Sequence, residues 1–163
     1  MRSPITFEIR KARPEDAPAL SQLAIHAKAY WGYSPAFMTA CRPELTYTSA
    51  QIIHPQFHFF LAETGDRLIG FYGLEPCSAQ EMELLALFVS PAFIRQGYGR
   101  ILMQHAQKQA MACGTQTLMI QSDPNAEAFY LAMGARAIAK TESASISGRY
   151  LPLLVLDLAN CCQ

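Results

Sequence analysis

Apolar and polar positions recur along this chain with two periods, and the changes of period mark its elements. Thr6-Phe7-Glu8-Ile9-Arg10-Lys11 alternates with a period of two and predicts a first strand with one buried face. Pro14 followed by Glu15 and Asp16 is a helix-start signal. Ala17, Leu20, Ala24, Ala27 and Trp31 then fall on one stripe of a helix that ends near Gly32. Ser34-Pro35 reads as a cap and a second, shorter helical start, and residues 36–53 as a mixed stretch, helical in pieces. Residues 56–63 predict a second strand, and Thr64-Gly65-Asp66 turns the chain into a third over 68–74. A loop through Pro76 leads to a fourth strand, 81–89, and a helix over 99–113 closes at Gly114. A fifth strand covers 116–121, a helix 125–133 ends in Gly134, and 135–140 and 150–158 are the last two strands. This order predicts an α/β sandwich with a mixed sheet, without repeats, linkers or low-complexity segments.

Composition narrows the classes. The length of 163 residues suits one domain, 1–163, with a sizeable core; 51% of residues are hydrophobic and 16% charged, as in a globular chain. Thirteen basic residues balance thirteen acidic ones, which argues against nucleic acid or an anionic membrane surface as the main partner. The five cysteines show no Cys-x-x-Cys spacing, and the chain opens without an apolar signal segment. Reduced thiols in a cytoplasmic protein are the expectation, and no apolar run approaches a membrane span. His54 and His58 on a strand would lie roughly 13 Å apart, too far for one ion, so no metal site is expected.

The chemistry concentrates after the fourth strand. Leu84 to Val89 runs into a short turn ending in Gly97-Tyr98-Gly99, bracketed by Arg95 and Arg100, and a helix begins there. First-turn N–H groups of a helix have no partner within it, and the dipole adds partial positive charge. Two glycines clear the approach to those donors, so the stretch reads as an anion cradle best suited to a pyrophosphate. A dinucleotide fold wants a third glycine where Leu102 stands; a P-loop wants Gly-Lys-Ser/Thr where Gly99-Arg100-Ile101 stands. Neither pattern is met.

The stretch resembles the acyl-CoA signature of the GNAT superfamily of N-acyltransferases, Arg/Gln-x-x-Gly-x-Gly/Ala after a strand. Gly97 and Gly99 match; Ile94 stands where the family usually carries Arg or Gln, with Arg95 one place on. Asp123-Pro124-Asn125-Ala126-Glu127-Ala128-Phe129-Tyr130-Leu131-Ala132-Met133-Gly134-Ala135 is similar to the family's second CoA motif: Asn, then Ala-Phe-Tyr, then Gly four residues after the Tyr. The element order is also the family's, so the resemblance covers nearly the whole chain. It implies a mixed, mostly antiparallel sheet of about seven strands flanked by about four helices. It implies acetyl transfer from acetyl-CoA to a primary amine of a small molecule or peptide, by direct attack in a ternary complex and without a metal. Family members often pair as homodimers.

Residue by residue, the resemblance assigns the pyrophosphate to Arg95, Gln96, Gly97, Tyr98, Gly99 and Arg100. It gives the oxyanion to the Leu87 backbone N–H, the pantetheine arm to the Phe88–Val89 backbone, and a further CoA contact to Asn125. Tyr130 stands where the family's thiolate-protonating tyrosine stands; the alternative is an aromatic packed on the sheet. An alkyl amine of pKa near ~10 must lose a proton before attack. Glu83, fourteen positions before Gly97, stands where some members carry a glutamate base. Glu81 shares its strand face and is the alternative base or a counter-charge for the amine, and a water chain is a third option. On the acceptor side, Trp31 and Tyr33, with Tyr30, Phe37 and Met38, form either an aromatic pocket or core, and Arg149 either clamps a carboxylate or phosphate or is solvated. A CoA-binding sensor without turnover, or transfer of another acyl group, are the competing readings. An unrelated nucleotide binder leaves the Asn125 to Gly134 motif unexplained.

Overall fold

A computed structural model describes residues 6–159, so Cys161 and Cys162 lie outside the described residues. Seven strands, β1 (Glu8–Lys11), β2 (His58–Thr64), β3 (Arg67–Pro76), β4 (Glu81–Val89), β5 (Thr117–Gln121), β6 (Arg136–Glu142) and β7 (Tyr150–Asp157), build one sheet. Their spatial order is β1-β2-β3-β4-β5-β7-β6. Neighbours are antiparallel except β4 and β5, which run parallel and are joined by a crossover helix. The mixed, mostly antiparallel α/β architecture expected from the sequence is the one observed.

The α-helices among the described residues are α1 (Ala17–Ala29), α2 (Pro35–Cys41), α3 (Ser49–Ile53), α4 (Tyr98–Ala112) and α5 (Glu127–Ala132). There are five rather than about four because the mixed stretch 36–53 divides at a 3-10 turn, Arg42–Leu45. Each piece has its own start signal. Ser34 Oγ accepts the Phe37 N–H at 3.1 Å, and Thr48 Oγ1 accepts the Gln51 N–H at 3.1 Å. Helices this short are marginal alone, and burial of Cys41 and Ile52 holds them to the sheet. His54 caps α3 and is not on β2. Cys41 is buried and Cys77 and Cys113 exposed, all as free thiols.

The sheet separates two cores. On one face α4 and α5 bury Leu102, Met103, Ala106 and Tyr130 against Tyr72, Leu74, Leu84 and Leu118. On the other, α1, α2 and α3 bury Leu20, Ala24, Cys41 and Ile52 against Phe59, Leu61, Phe71 and Ala86. Among the described residues no helix is long and apolar enough to cross a membrane.

Strand β4 is irregular on both of its edges. Opposite β3, Leu74 pairs with Leu84 but Gly73 with Ala86, so Leu85 is an extra residue, a β-bulge. The bulge reverses the alternation: Met82 and Leu84 face α4, whereas Ala86 and then Phe88 face the α1 side. On its other edge β4 pairs with β5 only through Glu81–Thr117, Met82–Leu118 and Glu83–Met119. Beyond Glu83 the two parallel strands part.

The edge that remains is held close to β3. A Cβ on Gly70 would lie 2.5 Å from the Phe88 carbonyl oxygen and 2.9 Å from Leu102 Cδ1. The first contact is backbone and cannot be relieved by a rotamer change. Gly70→Ala should therefore cost about 1–3 kcal/mol, read as a lower Tm and a lower urea midpoint. An unchanged midpoint would mean that β3 and β4 are not packed this closely.

Candidate active site

Where β4 and β5 part, a cleft of about 570 Å³ opens, and its walls come from both cores. Leu84 to Val89 runs along it. Ala27, Lys28, Tyr30, Trp31, Glu44 and Tyr47 close one side, and Phe93, Tyr98, Gly99, Phe129 and Tyr130 the other. The cleft thus reaches both faces of the sheet at a point where backbone N–H and C=O groups of β4 have no strand partner. Such groups need partners, which makes this edge a natural docking strip for an extended, amide-bearing ligand.

One mouth of the cleft is the start of α4. Gly97 caps the helix at φ 90°, and Arg95 two residues earlier has φ 60°, a left-handed conformation that costs a non-glycine residue about 1 kcal/mol or more. Alternation of this kind turns successive N–H groups toward one concavity, an anion nest, and the helix dipole adds to it. Among the described residues, its two chain neighbours apart, no atom lies within 4 Å of where a Gly97 Cβ would sit. Gly97 itself borders the cleft. Arg95 and Arg100 line the same mouth. Tyr98 anchors it, its buried ring edge-on to Phe7 at 5.3 Å and Phe93 at 5.9 Å.

Two proton-transfer candidates line the interior. Glu83 is the last β4 residue paired to β5 and is only partly exposed. Burial, and then the charge of Glu75, push its carboxyl above the ordinary carboxylate range. Tyr130, on α5, is buried. Burial and then the charge of Asp123 push its phenol above the ordinary tyrosine range, so the phenol is neutral at physiological pH. Among the described residues no group of three or more His, Cys, Asp or Glu side chains is placed to hold a metal ion.

A polar network closes the α1 side. Lys28 Nζ donates to Asp123 Oδ2 at 2.7 Å, and the Tyr33 hydroxyl donates to the same carboxylate at 2.8 Å. Asp123 also accepts the Asn125 backbone N–H at 2.8 Å and its side-chain amide at 2.9 Å. The Tyr33 oxygen accepts from Asn125 Nδ2 at 2.9 Å and from Arg149 Nη2 at 3.0 Å. The Tyr33 ring stacks on Phe37 at 4.0 Å, and the Arg149 guanidinium lies 4.7 Å from the Phe37 centroid. Side-chain exposures of 11% for Lys28, 15% for Asp123 and 19% for Arg149 make this a largely desolvated ion cluster. Burial pushes the Asp123 carboxyl up, but hydrogen bonds from Lys28, the Asn125 N–H and Tyr33 outweigh it. The net position is below the ordinary carboxylate value.

Of the residues singled out in the sequence, Glu83, Leu87, Phe88, Val89, Arg95, Gly97, Tyr98, Gly99, Arg100, Asn125, Tyr130 and Trp31 border the cleft. Four do not. Glu81 is exposed at the closed, paired end of β4 and β5. Gln96 is exposed and turns its amide to the Ala92 carbonyl at 3.4 Å. Tyr33 and Arg149 stand behind the wall, committed to the network. Asn125 reaches the cleft, but its amide is also committed there. Sequence reasoning gives Asp123 and Lys28 no role of their own. Lys28 is detectable in principle: it continues the buried α1 stripe of Ala17, Leu20 and Ala24 at the next turn, where a charge needs a buried partner.

A split sheet with a helix N-terminus and a tyrosine at the opening has the form of a cleft for an extended, anion-bearing ligand. The match to the acetyltransferase (GNAT) family over residues 23–135, most of the chain, places it: the chain belongs to that family. Solved structures agree on the fold. The PaiA N-acetyltransferase of Thermoplasma acidophilum, in complex with coenzyme A, has a TM-score of 0.77 at 21% identity, over 93% of this chain and 99% of that one. The ribosomal-protein-S18-alanine N-acetyltransferase of Escherichia coli has a TM-score of 0.70 at 20% identity, over 94% of each chain. An aminoglycoside 6'-N-acetyltransferase complexed with coenzyme A has a TM-score of 0.69 at 15% identity, over 93% of this chain and 97% of that one. No curated protein sequence matches the chain.

The network has a pH signature. Asp123 has a folded pKa below its unfolded value, so its contribution to stability is complete above the unfolded carboxylate value of about 3.9 and is lost as pH falls through the folded one. Between about pH 6 and about pH 2 the wild type should lose more stability than Asp123→Asn, measured by urea unfolding at each pH. Parallel losses would remove Asp123 from the acid response.

Proposed function

We propose that this chain transfers the acetyl group of acetyl-CoA to a primary amine of a small molecule or peptide, by direct attack within a ternary complex. The observation that carries this reading is the opening of the sheet after Glu83, with an anion-binding helix start at one mouth and Glu83 and Tyr130 both on its walls. The residues present fit coenzyme A. The Arg95 to Arg100 loop and α4 N-terminus suit the pyrophosphate, and the unpaired edge of β4 suits the amide-rich pantetheine arm. Acetyl-CoA supplies an activated thioester carbonyl. Family membership and the coenzyme A complexes of the fold neighbours support the same donor.

The chain's own groups then divide the proton work. Glu83, its affinity for protons raised by burial, takes a proton from the attacking amine. The Leu87 N–H, on the strand edge that β5 has left, faces the carbonyl oxygen as negative charge develops there. Tyr130, kept protonated by its surroundings, passes its proton to the departing sulfur. The α1 side of the cleft, with Trp31 at its rim, receives the amine; the α4 side receives the donor. Tyr33 and Arg149 act on the acceptor through the wall they hold, and Gln96 is an outer member of the phosphate loop.

Thiol release from acetyl-CoA with a panel of primary amines tests the reading. Tyr130→Phe should lower turnover about a hundredfold with little change in CoA affinity. Coenzyme A binding without thiol release from any amine would instead mark a sensor, and no coenzyme A binding would remove the donor assignment altogether. The rate should also fall as Glu83 takes up a proton. Because its pKa is raised, the acidic limb of kcat/KM should lie above the ordinary glutamate value of about 4.3 and disappear in Glu83→Gln. A limb that survives in Glu83→Gln would assign the base to a water chain or another group.

A further inference from the structure

We propose that Asp123 is a positioning residue that sets the acceptor wall of the cleft, an assignment that rests on reading the cleft as an acetyl-transfer site. Its carboxylate gathers three segments far apart in sequence. Lys28 comes from the last turn of α1, Tyr33 from the loop before α2, and Arg149, through Tyr33 and at 3.7 Å from Asp123 Oδ2, from the loop between β6 and β7.

The first two anchors bracket the rim. Tyr30 and Trp31 are each about half exposed, at 49% and 50%, yet line the cleft. Their rings meet edge to face at 5.6 Å and contribute nothing to either buried core. What holds them is the chain on either side. The Trp31 N–H donates to the Lys28 carbonyl at 3.2 Å, and Gly32, at φ 84°, turns the chain so that Tyr33 returns to the same carboxylate that Lys28 reaches. Through its bond to the Asn125 N–H, Asp123 also caps the turn Pro124–Ala126 that leads into α5 and Tyr130. One carboxylate therefore sets the spacing between the aromatic rim and the proton donor.

The stability that the folded network contributes does not by itself account for the arrangement. A desolvated ion cluster is often no more stable than apolar side chains of the same volume, so its value lies in fixing geometry. The donor mouth, residues 95–100, makes no hydrogen bond or ion pair to this network among the described residues. Loss of Asp123 should disturb the acceptor side and spare the pyrophosphate mouth, from which coenzyme A would draw its charge-assisted contacts.

Trp31 is the one tryptophan of the chain, so its fluorescence reports on the rim directly. In Asp123→Asn, iodide should quench Trp31 more readily than in the wild type, while the Kd for coenzyme A stays within about twofold. With whichever of an arylalkylamine, a polyamine or a short peptide supports thiol release, the acceptor KM should rise about ten- to a hundredfold and the acetyl-CoA KM should not. Tyr33→Phe, which removes the central hydroxyl and keeps the ring stack, should move the same readouts in the same direction and serves if Asp123→Asn does not fold. Adding Lys28→Met to Asp123→Asn removes the stranded charge; it should recover Tm but neither the Trp31 shielding nor the acceptor KM. Recovery of all three would reduce Asp123 to a counter-ion for Lys28 and overturn the proposal, as would wild-type quenching in both single variants. If no amine supports release, the acetyl-transfer reading fails, while quenching and coenzyme A binding still decide the role of Asp123 in the wall.

Discussion

The parallel strands β4 and β5 share three register pairs and then separate after Glu83. A strand edge abandoned inside a sheet leaves N–H and C=O groups that must find partners elsewhere. The separation alone would give a shallow groove. The bulge at Leu85 adds local twist and turns Ala86 and Phe88 toward α1, so the strand passes from one core to the other along the opening. The crossover from β4 to β5 supplies α4, whose N-terminus must start near the end of β4, beside the gap. The cleft, its anion-binding mouth and its two-sided access all stem from that one missing ladder.

Two carboxylates near this opening are driven in opposite directions. Glu83 is desolvated beside Glu75 and is pushed above the ordinary carboxylate range. Asp123 is also desolvated, but Lys28, the Asn125 N–H and Tyr33 donate to it, and it is pushed down, locked as an anion. Environments that separate two like groups in this way suit them to different work: a raised carboxyl to exchanging a proton, a lowered one to holding its neighbours in place. The Asp123 charge also reaches Tyr130 and helps keep that phenol protonated.

Much of the fold is legible in the sequence because it is written in short-range signals. Strand alternation, Pro14 and Ser34-Pro35 at helix starts, and Gly114 and Gly134 after helix ends all act within a few residues. The cradle is legible for the same reason, since strand, Gly-x-Gly and helix are contiguous. The bulge at Leu85 is not, because apolar residues on both faces of a buried strand hide a reversal of alternation. Nor is the network: Tyr33 and Arg149 are 116 positions apart, and no local period couples them. Arg149 and Tyr33 read from sequence as substrate contacts, whereas in the fold they bond to one another. A polar residue placed by tertiary contacts has the same sequence signature as one placed for a ligand.

The cradle shows how a departure from a motif can be absorbed. The family's usual charged position is Ile94 here, a residue that borders the cleft with an apolar side chain. A guanidinium at that position would have been one source of positive potential among several. The remaining sources are the Arg95 and Arg100 guanidinium groups at the mouth and the backbone, where Arg95 at φ 60° and Gly97 at φ 90° bend the loop into an anion nest and α4 adds its dipole. The left-handed conformation at Arg95 costs energy that a glycine would not, so the loop is held there by its surroundings rather than by local preference. The Phe7–Tyr98–Phe93 stack beneath the loop is the packing able to do so. The suitability of this mouth for an anion therefore does not hang on the single side chain at position 94: the propped backbone and the two flanking arginines supply positive potential without it.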